Sequence, residues 1–504
     1  MNETVYSLTF KSFIFISPTL DCSIYSLVNT KAIIKIKMPK KMDQNHVITI
    51  DKKEVDIMMT QIRKPPRLLN RLAGHSSCCI FRVPQSLVEI NKEAYQPRIV
   101  SIGPYHYGNK DLEMIQEHKG RFLDNMITRT GKSLSVFVSI IVPLDKEIRE
   151  SYSESIDHFA KNDLAKMMVL DGVFLIELFR KVGKLVDTHP DDPIFKMAWV
   201  SPFLMRDILR IENQIPFFVL QKLYEASKGD DVDRTLQSLI LEFFNYMVDR
   251  PQNVLKRYAN DDGKHLLDFF RKSFITTNNN INSFGSENTI NPSLKLIKPA
   301  TKLVTAGVKF KANHEAESFL DIEFKNGLLL IPQINMDDFY SSFFLNCMAF
   351  KQCYHHCSKD ITTYVVFMGC LMRTSADVSL LSEKKIIENY FGTDKEISKF
   401  FNEVGKDVAF NIKNNYLKDL FVELNEYCKN GLHVHWAEFK HNYFGSLWIT
   451  ISAIAAFMLL CFAALQTIYT LISYYHIRKI EITCWWVAGG CCSGTPVMVY
   501  CSDC

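Results

Sequence analysis

Apolar positions fall into helical periods over most of the chain, into a strand period over one short stretch, and into one unbroken run near the end. Leu112, Ile115, His118, Lys119 and Phe122 recur at three- and four-residue spacing. This predicts a helix from about Leu112 with Asp111 as its cap. Residues 163–186 are apolar on nearly every side between Met167 and Phe179, the pattern of a helix central to a core, interrupted at Asp171 and Gly172. Residues 207–227 read as two helical pieces meeting at Pro216, which starts a first turn or kinks the helix. Glu212, Asn213 and Gln214 sit there among apolar neighbours. They read as a buried polar junction, with polar groups of a site as the alternative. Residues 276–293, rich in Asn, Ser and Thr, predict a mobile loop. Across 307–336 the period becomes two, and Asn326-Gly327 between two apolar runs predicts a β-hairpin. Residues 338–440 return to helix, and no internal repeat is visible. The fold class expected is mainly α (α+β): one helical soluble domain over 75–440 with a small antiparallel β-hairpin.

The unbroken run is 447–475. No Asp, Glu, Lys or Arg occurs between Asn442 and Tyr475, and about 20 apolar residues suffice to cross the hydrocarbon core. Trp448 stands at one end and Tyr469, Tyr474 and Tyr475 at the other, where amphipathic rings favour the interface. A single transmembrane helix is expected. Ser452, Ala456 and Ala463 fall near one face, and Gln466 is an amide within the span, a pattern that permits self-association into a homo-oligomer. Lysines before the span and Arg478-Lys479 after it balance, so the positive charges set no orientation. Insertion as a tail anchor in the plasma membrane or an endomembrane, with the N-terminal domain cytosolic, is the expectation.

Composition narrows this further. A hydrophobic content of 47% with 23% charged residues is globular, and 36 phenylalanines against 20 glycines favour packed helices. A net charge of +4 without a basic, aromatic-interleaved stripe gives nucleic-acid binding no support. The 14 cysteines form no evenly spaced framework, which suits a reducing compartment. Residues 1–60 read as a disordered leader or a gene-model extension, without a clean signal peptide. The tail 483–504, with Cys491, Cys492, Cys501 and Cys504, reads as a gene-model read-through; palmitoylation or metal binding is the alternative.

The stretch "IVSIGPYHYGNKD" has the outline of a phosphate-binding loop: a short apolar run read as a strand over 99–102, then Gly103, Gly108 and Lys110. The chemistry does not follow. Asn109 stands where the lysine belongs, Pro104 has no N–H to offer, and Tyr105, His106 and Tyr107 crowd the loop. The reading is a turn set by Gly103 and Pro104, with three rings filling space. His106 has no nearby nucleophile signature, and no G-x-S-x-G occurs. Cys347, Cys353, His355, His356 and Cys357 lack the paired spacing of a zinc site, and His433, His435 and His441 read as packing or interfacial residues. No cofactor, metal or catalytic residue is assigned.

Taken in order, "FRVPQSLVEINKEAYQPRIVSIGPYHYGN", "MMVLDGVFLIELF", "DILRIENQIPFFVL", "HLLDFFR", "AGVKF", "LDIEFKNGLLLIPQI" and the apolar run resemble the plant "domain of unknown function 247" proteins over roughly residues 75–475. Two departures stand out. Lys351 replaces an acid in "NCMAFKQC", and Leu447 replaces a proline before Trp448. The resemblance implies a plant protein with one C-terminal membrane helix and no established enzymatic activity. Association of some grass members with self-incompatibility implies recognition or signalling through a protein partner. The alternatives are a cryptic enzyme with His106, Tyr105 and Glu212–Asn213–Gln214 in one pocket, or a structural membrane protein that self-associates through Ser452, Ala456 and Gln466.

Overall fold

The computed structural model describes residues 22–28, 31–36, 49–62, 68–69, 72–89, 91–229, 234–275, 294–390, 392–405, 410–429 and 447–488. The Asn-rich segment 276–293 and the tail from 489 lie outside them. Within 1–60, where a disordered leader is expected, β1 (Cys22–Val28), β2 (Lys31–Ile36) and β3 (Thr49–Asp51) pair antiparallel in that order, and α1 (Lys52–Ile62) follows.

The core is built around α4 (Lys161–Val182). Met168, Val169, Phe174, Leu175, Ile176 and Phe179 on it are all fully buried. Four helices surround it: α2 (Glu113–Thr130), α3 (Leu134–Ile141), α6 (Phe217–Ala226) and α7 (Leu236–Val248). The helix runs unbroken through Asp171-Gly172, where sequence suggested an interruption. A Cβ on Gly172 would stand 2.4 Å from Leu223 Cδ1, so the glycine is a close-approach point for α6. α5 (Val200–Ile208) ends eight residues before Pro216–Phe217, and Pro216 occupies the N-cap of α6 with φ −58°.

The second half wraps α9 (Asp338–Cys353), which is buried almost all round. Phe343 and Phe344 on α9 meet Phe270 and Phe274 around α8 (Leu266–Lys272), as well as Phe319 and Tyr364, with ring centroids mostly about 5 Å apart. This aromatic cluster accounts for much of the phenylalanine content. α10 (Asp360–Leu371), α11 (Ser375–Glu383), α12 (Asp394–Val404) and α13 (Lys418–Lys429) close that half. One hydrophobic core runs from Cys78 to Cys428.

The expected hairpin is present. β5 (Glu323–Lys325) and β6 (Leu328–Pro332) pair antiparallel across Asn326 (φ 52°) and Gly327 (φ 78°). Two consecutive left-handed residues make the turn that twist-matched hairpins use. The sheet is larger than a hairpin, however: β4 (Lys309–Asn313) joins the other edge of β6 in parallel. A second parallel pair joins β7 (Ile334–Met336) to β8 (Ile387–Asn389), so part of a stretch read as helix is strand. Finally, α14 (Leu447–Ala488) carries the apolar segment Ile451–Ile477, in which an 18-residue stretch has a mean hydropathy of 2.2 and no buried residue. It is long and apolar enough to span a membrane.

Candidate functional site

The turn singled out by sequence is held in an unusual way. Residues 99–102 form no strand: the chain bends at Arg98 and Ile99, and the run belongs to no sheet. Their buried N–H groups still need partners, and side chains supply them. Asp207 Oδ2, at the end of α5, accepts from the amides of Arg98 (2.8 Å), Ile99 (2.8 Å) and Val100 (3.2 Å). Asn213 Oδ1 accepts from Ile102 at 2.6 Å, and Asp171 Oδ2 from Gly103 at 2.7 Å. The other Asp171 oxygen takes Lys119 Nζ at 2.5 Å, and Lys119 also donates to the Ser101 carbonyl. Lys119 and Asp171 are 1% and 2% exposed at their side chains, a fully desolvated ion pair. Burial pushes the Asp171 carboxyl up, against the opposing pull of Lys119 and the Gly103 amide.

The polar junction completes this frame. Both amide hydrogens of Asn213 go to backbone carbonyls, Val100 at 3.0 Å and Asp207 at 2.9 Å. Gln214 Nε2 donates to Ile208 (2.6 Å) and Arg210 (2.7 Å), and its Oε1 accepts from Leu267 at 3.2 Å. Glu212 Oε1 takes the Val83 amide at 2.8 Å, and its Oε2 takes Arg82 Nη1 at 2.9 Å. Burial acts to raise the Glu212 carboxyl. The His106 ring, the Val83 amide and Arg82 outweigh it and hold the group below its ordinary value.

Gly103 has φ +76°, and a Cβ there would lie 2.4 Å from the Gln214 carbonyl oxygen and 3.1 Å from the Tyr152 hydroxyl. The Tyr152 hydroxyl donates to that same carbonyl at 3.0 Å. Tyr105 is buried beneath Arg82, whose guanidinium lies 4.4 Å from the ring centroid. His106 is mostly covered, with Nε2 3.4 Å from Glu212 Oε2. The three rings do not all fill space as expected. Tyr107 is 52% exposed, because it turns outward to meet Phe159 edge-on at 5.7 Å. The expected cap is also displaced: Asn109 accepts from the Asp111 amide at 3.1 Å, and no side chain caps α2.

His106, Tyr105 and Glu212 therefore do come together, around Arg82. Asn213 and Gln214 are committed to backbone on the inner side. Sequence reasoning missed Asp171, Lys119, Asp207 and Arg82; a charged residue inside an apolar helical run was the available signal for Asp171. Next to this frame, His265 caps α8. Its Nδ1 accepts from the Asp268 amide at 3.3 Å, which requires the neutral ring, and burial lowers its pKa from 6.5 to about 4. An unfolded histidine binds a proton below about 6.5 where the folded one does not, so stability falls as pH drops from 6.5 toward 4. The effect is up to about 3 kcal/mol. His265→Asn keeps a capping oxygen and should flatten this part of the stability–pH curve, as read by urea unfolding at pH 7 and pH 5.

A second feature lies at the surface beside α5. Arg98, Arg206 and Arg210 line a shallow cleft of about 70 Å³ with Glu93 and Asp338. Arg206 and Arg98 lie 4.5 and 5.6 Å from the Phe203 ring centroid, and Trp199 meets that ring edge-on. Met197 and Trp199 are 47% and 45% exposed. Among the described residues, no group of three or more His, Cys, Asp or Glu is arranged to hold a metal ion. Cys347, Cys353 and Cys357 are free thiols. His433, His435, His441 and the tail cysteines from Cys491 lie outside the described residues. Ser452, Ala456 and Gln466 lie exposed along α14.

A mainly helical domain of this kind, carrying this turn and a long apolar C-terminal helix, matches one family model over residues 80–462, that of a plant protein of unknown function (DUF247). The chain belongs to that family. A UPF0481 protein of Arabidopsis thaliana is 39% identical over 436 residues, covering 82% of this chain and 91% of the relative. A second UPF0481 protein of the same plant is 22% identical over 484 residues, covering 77% and 89%. No solved structure matches the chain.

Proposed function

We propose that this chain is a membrane-anchored recognition protein, in which α14 holds the helical domain at a bilayer and the surface beside α5 binds a protein partner. The observation that carries the reading is the segment Ile451–Ile477, free of Asp, Glu, Lys and Arg and left uncovered by the described residues. Exposed along its whole length, such a helix finds its low-energy surroundings in lipid. The free thiols from Cys78 to Cys428 support a domain on the cytosolic side, where thiols stay reduced. Trp, Met, Phe and Arg are the residues most enriched at interface centres. The ion pairs Arg98–Glu93 and Arg206–Asp338 lean on carboxylates that are 78% and 75% exposed. A partner carboxylate can displace such weakly held acids, with an apolar side chain beside it covering Trp199.

Proximity labelling in plant cells tests this, comparing the full chain with an anchor-only control and with a Trp199→Ala/Arg206→Glu variant. The reading expects proteins enriched by the full chain alone. A set no larger than that of the anchor control, or one unchanged in the variant, overturns it. A second reading, self-association along α14, is favoured by the exposed amide of Gln466 amid apolar neighbours. Leucine at Gln466 with isoleucine at Ser452 and Ala456 should then reduce crosslinked oligomers.

A further inference from the structure

One face of the β4–β6–β5 sheet is turned outward. Its register sets Lys309, Leu328 and Lys325 side by side, with Lys311, Leu330 and Glu323 in the next row. The lysines and Glu323 are exposed, and the two leucines are half-buried. The alternate residues, Phe310, Ala312, Leu329 and Ile331, are buried on the opposite face. Period-two alternation thus gives this sheet one core face and one face with an apolar centre framed by lysines. Glu323 is paired with Lys325 at 2.5 Å. Among the described residues, neither Lys309 nor Lys311 forms an ion pair, so the face is net positive.

The last described helix before the apolar segment packs on this sheet from its opposite, core-side face. Tyr427, in the last turn of α13, meets Phe324 of β5 edge-on at 5.6 Å, and its hydroxyl covers Gly327 at the hairpin tip. α13 ends at Lys429 and α14 begins at Leu447. A connection of that length reaches at most about 60 Å when fully extended, and less in any other form. The connection therefore keeps the sheet within that distance of the start of α14.

We propose that the lysine-framed face docks on the headgroups of acidic phospholipids, forming a second membrane contact that orients the domain. Lys309, Lys311 and Lys325 meet the anionic headgroups, and Leu328 and Leu330 reach toward the acyl boundary. The proposal rests on the anchoring reading above. Cytosolic leaflets carry the negative charge that such a face needs.

The test uses the full chain reconstituted in phosphatidylcholine vesicles, with and without phosphatidylserine. Amine-reactive labelling of Lys309, Lys311 and Lys325 is read by mass spectrometry against exposed Lys146. Alkaline extraction reports insertion of α14 separately. Addition of phosphatidylserine should cut labelling of the three lysines severalfold, and high salt or a Lys309→Glu/Lys311→Glu variant should abolish the difference. Insertion with equal labelling in both lipids overturns the docking face and leaves the anchor standing. Loss of the protein from both lipids on alkaline extraction overturns the anchoring reading itself. Protection already present in neutral vesicles or detergent shows that protein covers the face, from residues 430–446 or a partner, and also overturns the proposal.

Discussion

An Asp171→Ala variant is expected to lose about 3–5 kcal/mol of unfolding free energy. The reason is what remains behind. Lys119, with its side chain only 1% exposed, would be left with a single backbone carbonyl, that of Ser101, as its partner. The Gly103 amide would also lose its acceptor. Removing one partner of a buried pair costs more than the pair itself contributes, because the surviving charge is stranded in a low-dielectric interior. Replacing both partners, as Lys119→Met with Asp171→Leu, should recover much of the loss. Urea unfolding of the full chain in detergent measures all three proteins. A double variant as unstable as Asp171→Ala would mean that the amide of Gly103, not the stranded charge, dominates.

The second large effect is at Gly103. Gly103→Ala is expected to cost about 3 kcal/mol or more, and Gly108→Ala about 1–2 kcal/mol. Both glycines are left-handed, at φ +76° and +78°. They differ in the space around them. A Cβ at Gly103 would lie 2.4 Å from the backbone oxygen of Gln214, whereas nothing stands within 4 Å at Gly108. Backbone cannot retreat as a side-chain tip can, so the collision at Gly103 would disturb the junction as well as the turn. The same unfolding experiment reads both. Equal losses would show that the conformational cost alone accounts for Gly103.

Local signals carried a definite part of this structure. Asn326-Gly327 announced its hairpin because the turn chemistry sits in the two residues themselves. The apolar run of α14 and the all-round apolar helix α4 were legible for the same reason: the signal lies within one segment. What failed was long-range. Residues 99–102 looked like a strand because a short apolar run reads the same whether its amides meet a neighbouring strand or side chains. Their partners turned out to be side chains from Asp207 and Asn213, more than a hundred residues away. Asp171 looked like an interruption because its ion pair with Lys119 spans two helices. The parallel partner of β6 and the strand at Ile387–Asn389 depend on pairings that no local pattern encodes. The cleft beside α5 was missed because Arg98, Arg206 and Asp338 are distant in sequence and adjacent only in the fold.

The turn that identifies the family is thus explained as architecture. It is a length of irregular chain clamped by carboxylate and amide side chains, with Gly103 at its point of closest approach. The proposed recognition function rests elsewhere, on the surface beside α5 and on the apolar helix α14. Amide hydrogen exchange across residues 98–103 in the full chain tests this most directly. The account predicts that the amides of Arg98, Ile99, Val100, Ile102 and Gly103 exchange as slowly as those at the centre of α4, although they belong to no helix or strand. Exchange at the rate of exposed loop amides would contradict it and would make the turn a mobile segment open to a ligand.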